Sequence, residues 1–402
     1  MPNGNHLFIL QRLRKAGALT RRHLAQDMGV SVSMVSKLTS DLQARGLIRE
    51  AGRSAPLGGR PSDLLSLEPK AAYALGLDIG GNHQRAILTN LIGEVVARVE
   101  NEADLPNSRE GILQRIERLV RQLLSTPEVD SRRVVGLGAG LWGSVDPETG
   151  VVYSWTETPA LSLTWKNFAL RDALQEHFSF AHIRVDDIVR TMGLAEVLYG
   201  SGATRDQDFI FALADTGVGV AVMIGGVPYV GPSQLAGEIG HIPVAGGTLP
   251  CNCGNTGCLE TMASTRAVLE QAQRRLAESS VLSTLRDHPG SLTVQAMIAA
   301  AESGDKLAYQ ILTEAGEKLG IGLAIAVNLL GPRLVVIGGA LAGSNIYLEA
   351  ARRMVRLQAL GKVSSGLTIV ASRLNHLAGA RGAASQVLNM LFLPGENNLL
   401  SL

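Results

Sequence analysis

The chain has 402 residues, of which 46% are hydrophobic, 4% aromatic and 18% charged, with three cysteines and a net charge of +1. It is too long for one ordinary domain and apolar enough for aliphatic cores, which excludes a disordered or low-complexity chain. The odd cysteine count excludes a closed disulfide framework, and no signal pattern or apolar run of spanning length appears, so a cytoplasmic protein with no membrane partner is expected.

The near-neutral total hides an asymmetry. Residues 1–65 hold ten Lys and Arg against four Asp and Glu, while the remainder holds 27 against 32. A basic head on a mildly acidic body points to a polyanion as the partner of the head. Within residues 1–67 the pattern predicts helices at His6–Lys15 and Arg21–Met28, the second capped by Thr20. Gly29 supplies a sharp turn. A third helix starts at Ser31 or Ser33 and runs to Ala44, with Val35, Leu38 and Leu42 as its buried stripe. Its other face is Ser33, Ser36, Lys37 and Ser40, small and polar with one cation, as suits a helix laid in a major groove. Leu47-Ile48 and residues 64–67 read as short strands. The tip between them, GRSAPLGGRP, carries Arg53 and Arg60 and can reach phosphates or a minor groove as a wing. With Arg21, these residues are the candidate contacts to double-stranded DNA.

Residues 68–72 read as a linker. Beyond it, Tyr73–Leu77 is a strand ending in Asp78-Ile79-Gly80-Gly81. Strands follow at Arg85–Leu88 and Glu94–Val99. Much later Phe209–Leu213 leads into Asp215-Thr216-Gly217-Val218-Gly219, and Val220–Ile224 follows. The shared grammar of strand, Asp-x-Gly turn, strand and glycine hairpin predicts a duplicated, two-lobed α/β body: 73–200, then 201–402, with the last helices free to return to the first lobe. Glycine turns after strands let N–H groups approach phosphate, and an aspartate can hold Mg²⁺ through water. Gly338-Gly339 closes another strand, Arg333–Ile337. Each of these turns serves equally well as a plain tight hairpin. Between the echoes we expect a helix at Arg109–Leu124, a strand at Val134–Gly140, a turn-rich loop over 141–150, a helical region over Trp165–Phe178 and a strand at Ile183–Val185. Leu307–Leu330 and Gly379–Leu391 read as helices.

All three cysteines lie in one stretch, Gly237 to Glu260, GEIGHIPVAGGTLPCNCGNTGCLE. Cys251, Cys253 and Cys258 with His241 make a complete ligand set for a closed tetrahedral zinc site. Gly254 and Gly257 allow the tight turns that such a loop needs. Glu238 and Glu260 bracket the loop, so metal binding would fix two carboxylates beside the histidine.

This loop, read with Asp78-Ile79-Gly80-Gly81, resembles the ROK family of bacterial sugar-responsive repressors and sugar kinases. The winged helix joined through Gly59-Arg60-Pro61 resembles the repressor branch, similar to xylose and N-acetylglucosamine repressors. The resemblance covers essentially the whole chain. It implies a winged helix-turn-helix followed by a body of the actin and hexokinase, or ribonuclease H-like, type. It also implies structural zinc on His241, Cys251, Cys253 and Cys258, and sugar contacts from Glu238, His241, Glu260 and Asp187. Asp78, Gly80, Gly81, Thr216, Gly217, Gly338 and Gly339 fall at the nucleotide positions, with ATP and Mg²⁺ binding left open. In the family kinases an Asn-Asp pair precedes a helix ending Leu-x-Glu, and the Asp is the base. Counting back from Glu196 puts Asp187 at the Asn and Ile188 at the base, while a one-residue slip would restore Asp187 as base. Asn82 stands where the family has Thr or Ser. No catalytic residue is assigned and negligible kinase activity is expected, because isoleucine accepts no proton and a general base is worth roughly 10²–10⁴-fold. The implied function is an operator-binding repressor, dimeric or tetrameric, answering to a sugar or sugar derivative. An active kinase with an added DNA-binding domain, or a regulator answering to a protein partner, are the alternatives.

Overall fold

The computed structural model describes residues 2–54, 62–80, 83–102, 108–127, 129–156, 164–200, 208–279, 282, 292–395 and 398–401. The chain divides into two compact units, Met1–Thr191 with Gly379–Leu402, and Met192–Ala378.

The first unit opens with helix α1 (Pro2–Ala16), strand β1 (Ala18–Thr20), helices α2 (Arg21–Met28) and α3 (Val32–Ala44), and strands β2 (Ile48–Arg53) and β3 (Asp63–Leu67). The Thr20 hydroxyl accepts from His23 N and starts α2. Gly29, at φ 66°, ends it in the left-handed region where glycine costs least. Ser31 caps α3 by accepting from Met34 N. β3 runs antiparallel between β1 and β2. α1 begins four residues before the expected His6, and β1 was not anticipated because three residues are too few to carry a period. The wing tip, residues 55–61 with Arg60, lies outside the described residues.

The stretch 68–72 is a single 3₁₀ turn over Pro69–Ala71, with Ala71 and Ala72 buried. Both alanines share one apolar cluster with Leu10, Leu24 and Leu42 of the head and Val387 and Leu391 near the C-terminus. Strands β4 (Tyr73–Ile79), β5 (His83–Asn90) and β6 (Val95–Glu102) follow, then helix α4 (Arg109–Leu124) and strand β7 (Val134–Leu141). Strands β8 (Ser144–Asp146), β9 (Val151–Thr156) and β10 (Thr164–Ala169) form a small antiparallel sheet. Helix α5 (Leu170–His177) and strand β11 (His182–Asp187) follow, and the chain passes from the first unit to the second within helix α6 (Ile188–Tyr199). Two expectations are corrected here. The loop 141–150 contains β8, and the helical region over 165–178 opens as a strand. Trp165 is buried edge-on against Phe168, with ring centroids 4.7 Å apart, and Asn167 at φ 48° breaks the alternation that would have marked a strand.

The second unit holds strands β12 (Phe209–Ala214), β13 (Val218–Ile224) and β14 (Val227–Pro228), helices α7 (Glu260–Ala263), α8 (Thr265–Arg275), α9 (Val294–Glu302) and α10 (Lys306–Leu330), strand β15 (Leu334–Gly338), helices α11 (Asn345–Gln358) and α12 (Gly361–Ser364), and strand β16 (Thr368–Ala371). α10 is the spine. Leu312, Leu319, Leu323 and Val327 are buried along it, and Gly316 and Gly320 let the backbone of α11 approach at Tyr347 and Ala351.

The two main sheets share one topology. In the first, β4, β5 and β6 form an antiparallel meander, and β7 and β11 add in parallel on the other side of β4. In the second, β12, β13 and β14 form the meander, with β15 and β16 added in parallel. The final helix α13 (Ala378–Met390) belongs to the first unit. Its alanines allow close approach to the sheet: a side chain at Gly76 or Gly138 would collide with the carbonyl of Ala380 or Ala383. The segment beyond it packs on the head. Phe392 lies under the Arg14 guanidinium, 4.3 Å from the ring centroid, and its carbonyl accepts from Gln11 Nε2 at 2.7 Å. Arg14 also bonds to Asn389, and Arg45 to the carbonyl of Leu400.

Candidate functional site

The thiol-rich loop is held against β13 by two glycines. A side chain at Gly237 would strike the carbonyl of Val220, and one at Gly240 that of Val218. Gly254 (φ 96°) and Gly257 (φ 77°) then fold the loop back, with isolated bridges pairing Pro243 with Cys258 and Pro250 with Thr256. Cys258 and Cys251 are buried and Cys253 is exposed. The four ligand atoms of His241, Cys251, Cys253 and Cys258 lie within 4.8 Å of one another. His241 Nδ1 is 3.5 Å from Cys251 Sγ, and Cys253 Sγ is 3.7 Å from Cys258 Sγ. Zinc bonds of about 2.3 Å to sulfur and 2.0–2.1 Å to nitrogen require tetrahedral ligand atoms roughly 3.4–3.8 Å apart, so the donor set fits a zinc ion. Burial, with Cys253 and Cys251 alongside, raises the Cys258 thiol above its ordinary value.

His241 offers Nδ1 to this cluster, and its Nε2 faces the Glu238 carboxylate at 3.8 Å. Glu238 is exposed. Glu260, at the start of α7, is mostly buried. Its Oε2 accepts from Val218 N at 3.2 Å, and Arg266 lies 3.5 Å from Oε1. A methyl group at Gly217 would sit 2.9 Å from Oε2, so the second Asp-x-Gly turn and Glu260 adjoin each other. Asp215 braces the turn: its carboxylate accepts from Thr216 N at 2.8 Å and from Ala340 N at 2.9 Å. Gly339, at φ 94°, fits under Ala214 and Asp215, and Gly338 stacks on the Phe211 ring. Thr216, Gly217, Gly338, Gly339 and Glu260 thus converge within the second unit.

The first Asp-x-Gly turn is different. Asp78 is fully buried, with Trp142 Nε1 donating at 2.9 Å and Arg85 at 3.3 Å. Its carboxylate is thus engaged by two side chains of the first unit. Gly80 is buried, while Gly81 and Asn82 lie outside the described residues. Asp187, also in the first unit, accepts from Val189 N at 2.7 Å and from Arg190 N at 3.2 Å, so one oxygen caps α6. Asp186 is locked by Arg190 at 2.6 Å and Gln386 at 2.5 Å. The Ile188 side chain is buried between Gly140 and Gly379.

On the head, Ser33, Lys37 and Ser40 are exposed along α3. Ser36 is half-buried, and its hydroxyl donates to Val32 O. Arg21 is half-buried, and its guanidinium donates to Thr39 at 3.1 Å and Gln43 at 3.2 Å, tying α2 to α3. Arg53 is exposed beside Asp63 at 3.7 Å. Val32 and Met34, exposed on the first turn of α3, were missed. Their signal in the sequence is two apolar residues flanking Ser33 at the N-terminal end of the stripe. Among the described residues no helix is long and apolar enough to cross a membrane.

Comparison with known proteins places these features. The model of the ROK family matches residues 74–389. The DNA-binding transcriptional dual regulator NagC of Escherichia coli is 30% identical over 375 residues, which cover 92% of this chain and 89% of that one. A xylose repressor of Caldicellulosiruptor bescii is 27% identical over 395 residues, 97% of each chain. Among solved structures, a ROK family transcriptional regulator homologous to the E. coli MLC protein superposes with a TM-score of 0.78 at 25% identity, covering 98% of both chains. The body is therefore of the actin and hexokinase type, and the chain belongs to the ROK family.

Proposed function

We propose that the chain is a transcriptional repressor in which the winged helix, residues 1–67, binds an operator and the body, braced by zinc, senses a sugar or sugar derivative. The observation that carries this reading is the pairing of a helix with Ser33, Lys37 and Ser40 exposed to a body of ROK type, in a chain matched over 97% of its length by a xylose repressor. The effector class follows from residue chemistry. A sugar hydroxyl both donates and accepts, which suits Glu238, His241 and Glu260, with Asp187 as a further contact. His241, Cys251, Cys253 and Cys258 would hold zinc, which supplies a rigid cross-link that fixes the imidazole and its neighbouring carboxylates. A sugar that binds one conformation of the body more tightly shifts the population of DNA-competent molecules, and by reciprocity operator DNA weakens sugar binding by the same factor. A cytoplasmic homodimer or homotetramer is expected, since one small module buries too little for tight specific binding.

Loss of phosphoryl transfer belongs to the same proposal. It is supported by the buried Ile188, by the Asp187 oxygen capping α6, and by the engagement of Asp78 with Arg85 and Trp142. ATP binding at Thr216, Gly217 and Gly338-Gly339 stays compatible with it. The test is fluorescence anisotropy on DNA flanking the chain's own coding region, at fixed salt, with a panel of sugars. Saturable, sequence-selective binding that one sugar weakens is expected. Absence of selective binding, with sugar-stimulated ADP release, would put the kinase reading in its place.

A further inference from the structure

α3 is an unusual reader of DNA because of what its exposed face lacks. The strong base contacts in a major groove come from bidentate side chains: arginine on guanine, asparagine or glutamine on adenine. α3 has the sequence VSMVSKLTSDLQA. It contains no arginine and no asparagine. Its one amide side chain, Gln43, is half-buried and accepts from Arg21 at 3.2 Å. The Ser31 hydroxyl is spent on Met34 N, and the Ser36 hydroxyl on Val32 O. What the face offers is Ser33, Lys37 and Ser40, groups that bond phosphates as readily as bases.

The first turn offers something else. Val32 is 48% exposed and Met34 41% exposed, although Val35 and Leu42 on the same helix are fully buried. Successive residues on a helix point about 100° apart, so Val32 and Met34 stand on either side of Ser33. In helix-turn-helix proteins it is the N-terminal end of the recognition helix that meets base edges. Two exposed apolar side chains at that end of a basic head have a matching feature in the groove: the C5-methyl group of thymine.

We propose that Val32 and Met34 read thymine methyl groups, and that this apolar contact, rather than bidentate hydrogen bonding, sets the base preference of the helix. The inference rests on the DNA-binding reading above. Lys37 and the serines fix register on the backbone and contribute to affinity without carrying much sequence information.

The probe is a duplex selected from a random-sequence library by the full-length chain. Each thymine of the selected site is then replaced by deoxyuridine, which removes only the methyl group. Anisotropy at fixed salt gives the dissociation constants. At one or two thymines per half-site, replacement is expected to weaken binding about fourfold, the burial value of one methyl group. With Val32→Ala or Met34→Ala the same replacement should cost less than twofold. Lys37→Ala, by contrast, should weaken binding to thymine and deoxyuridine duplexes alike. If a site is selected but no deoxyuridine replacement matters, the methyl readout is wrong and the regulator reading survives. If no sequence is enriched, both fall. The deoxyuridine series needs no altered protein, so it stands even where a variant folds poorly.

Discussion

The two main sheets have the same strand order and the same Asp-x-Gly turn after their first strand, yet the turns do opposite things. In the first sheet Asp78 is sealed inside, bonded to Trp142 and paired with Arg85. In the second, the Asp215 carboxylate accepts from the backbone of its own and a neighbouring turn, and the turn adjoins Glu260. The second unit also carries the cluster of His241 and three thiols, which lies within the segment between Glu238 and Glu260. One aspartate of the duplicated fold is thus held by an indole and a guanidinium, and the other accepts from backbone N–H groups. Fold likeness alone would assign both turns the same task.

The largest expected effect concerns the brace. Cys258→Ser, or exhaustive chelation, should remove the bound metal seen by elemental analysis. It should also lower the melting midpoint by roughly 10 °C, taking a loss of about 4 kcal/mol at 2–4 °C per kcal/mol. Unchanged stability without metal would make the second half no more braced than the first. Next comes Asp78. Arg85→Met leaves a buried carboxylate with a lost partner and should cost about 3 kcal/mol in chemical denaturation, whereas Asp215→Ala should cost about 1 kcal/mol. Equal losses would erase the contrast between the turns. Gly217→Ala places a methyl group 2.9 Å from Glu260 Oε2 and should weaken sugar binding about tenfold with little change in stability, roughly the value of one charge-assisted hydrogen bond. Glu238→Gln tests another of the proposed sugar contacts, and an unchanged effector response there would remove the sugar model.

The smallest effect is one of pH. Burial raises the Glu196 carboxyl above its usual value, although the Ser372 hydroxyl donates to it. An acid whose folded pKa is raised contributes stability that is present at low pH and is lost as pH rises through the folded pKa. Glu196→Gln should therefore melt slightly higher than the parent at pH 7. The gap should close as pH falls below the ordinary glutamate range. A gap that widens toward low pH would reverse the sign and the burial argument with it.

What could be read from the sequence was local. Cap residues, Gly29 and the apolar stripe of Val35 and Leu42 are encoded within a few positions of one another, and α2 and α3 follow them. The cluster of His241 and the three thiols is legible for the same reason: three cysteines within eight residues leave little freedom. What escaped depends on distant partners. The bond from Arg21 to Gln43, on the next helix, is an example. So is the bond to Asp78 from Trp142, sixty-four positions on. Trp165 was taken for helix because its strand is short and Asn167 interrupts the period. The exposure of Val32 and Met34 depends on where the head core ends, which no periodicity encodes.

The central claim is that this body recognises a sugar and no longer phosphorylates it. The most direct test uses one preparation of zinc-loaded, full-length protein. Calorimetric titration with a panel of hexoses, pentoses and their N-acetyl and phosphorylated derivatives finds the ligand, and ADP release is then followed at saturating ligand with ATP and Mg²⁺. The expected result is saturable binding of one sugar with ADP release no faster than in its absence. Sugar-stimulated release on the order of 1 s⁻¹ or faster, a rate typical of working kinases, would contradict it.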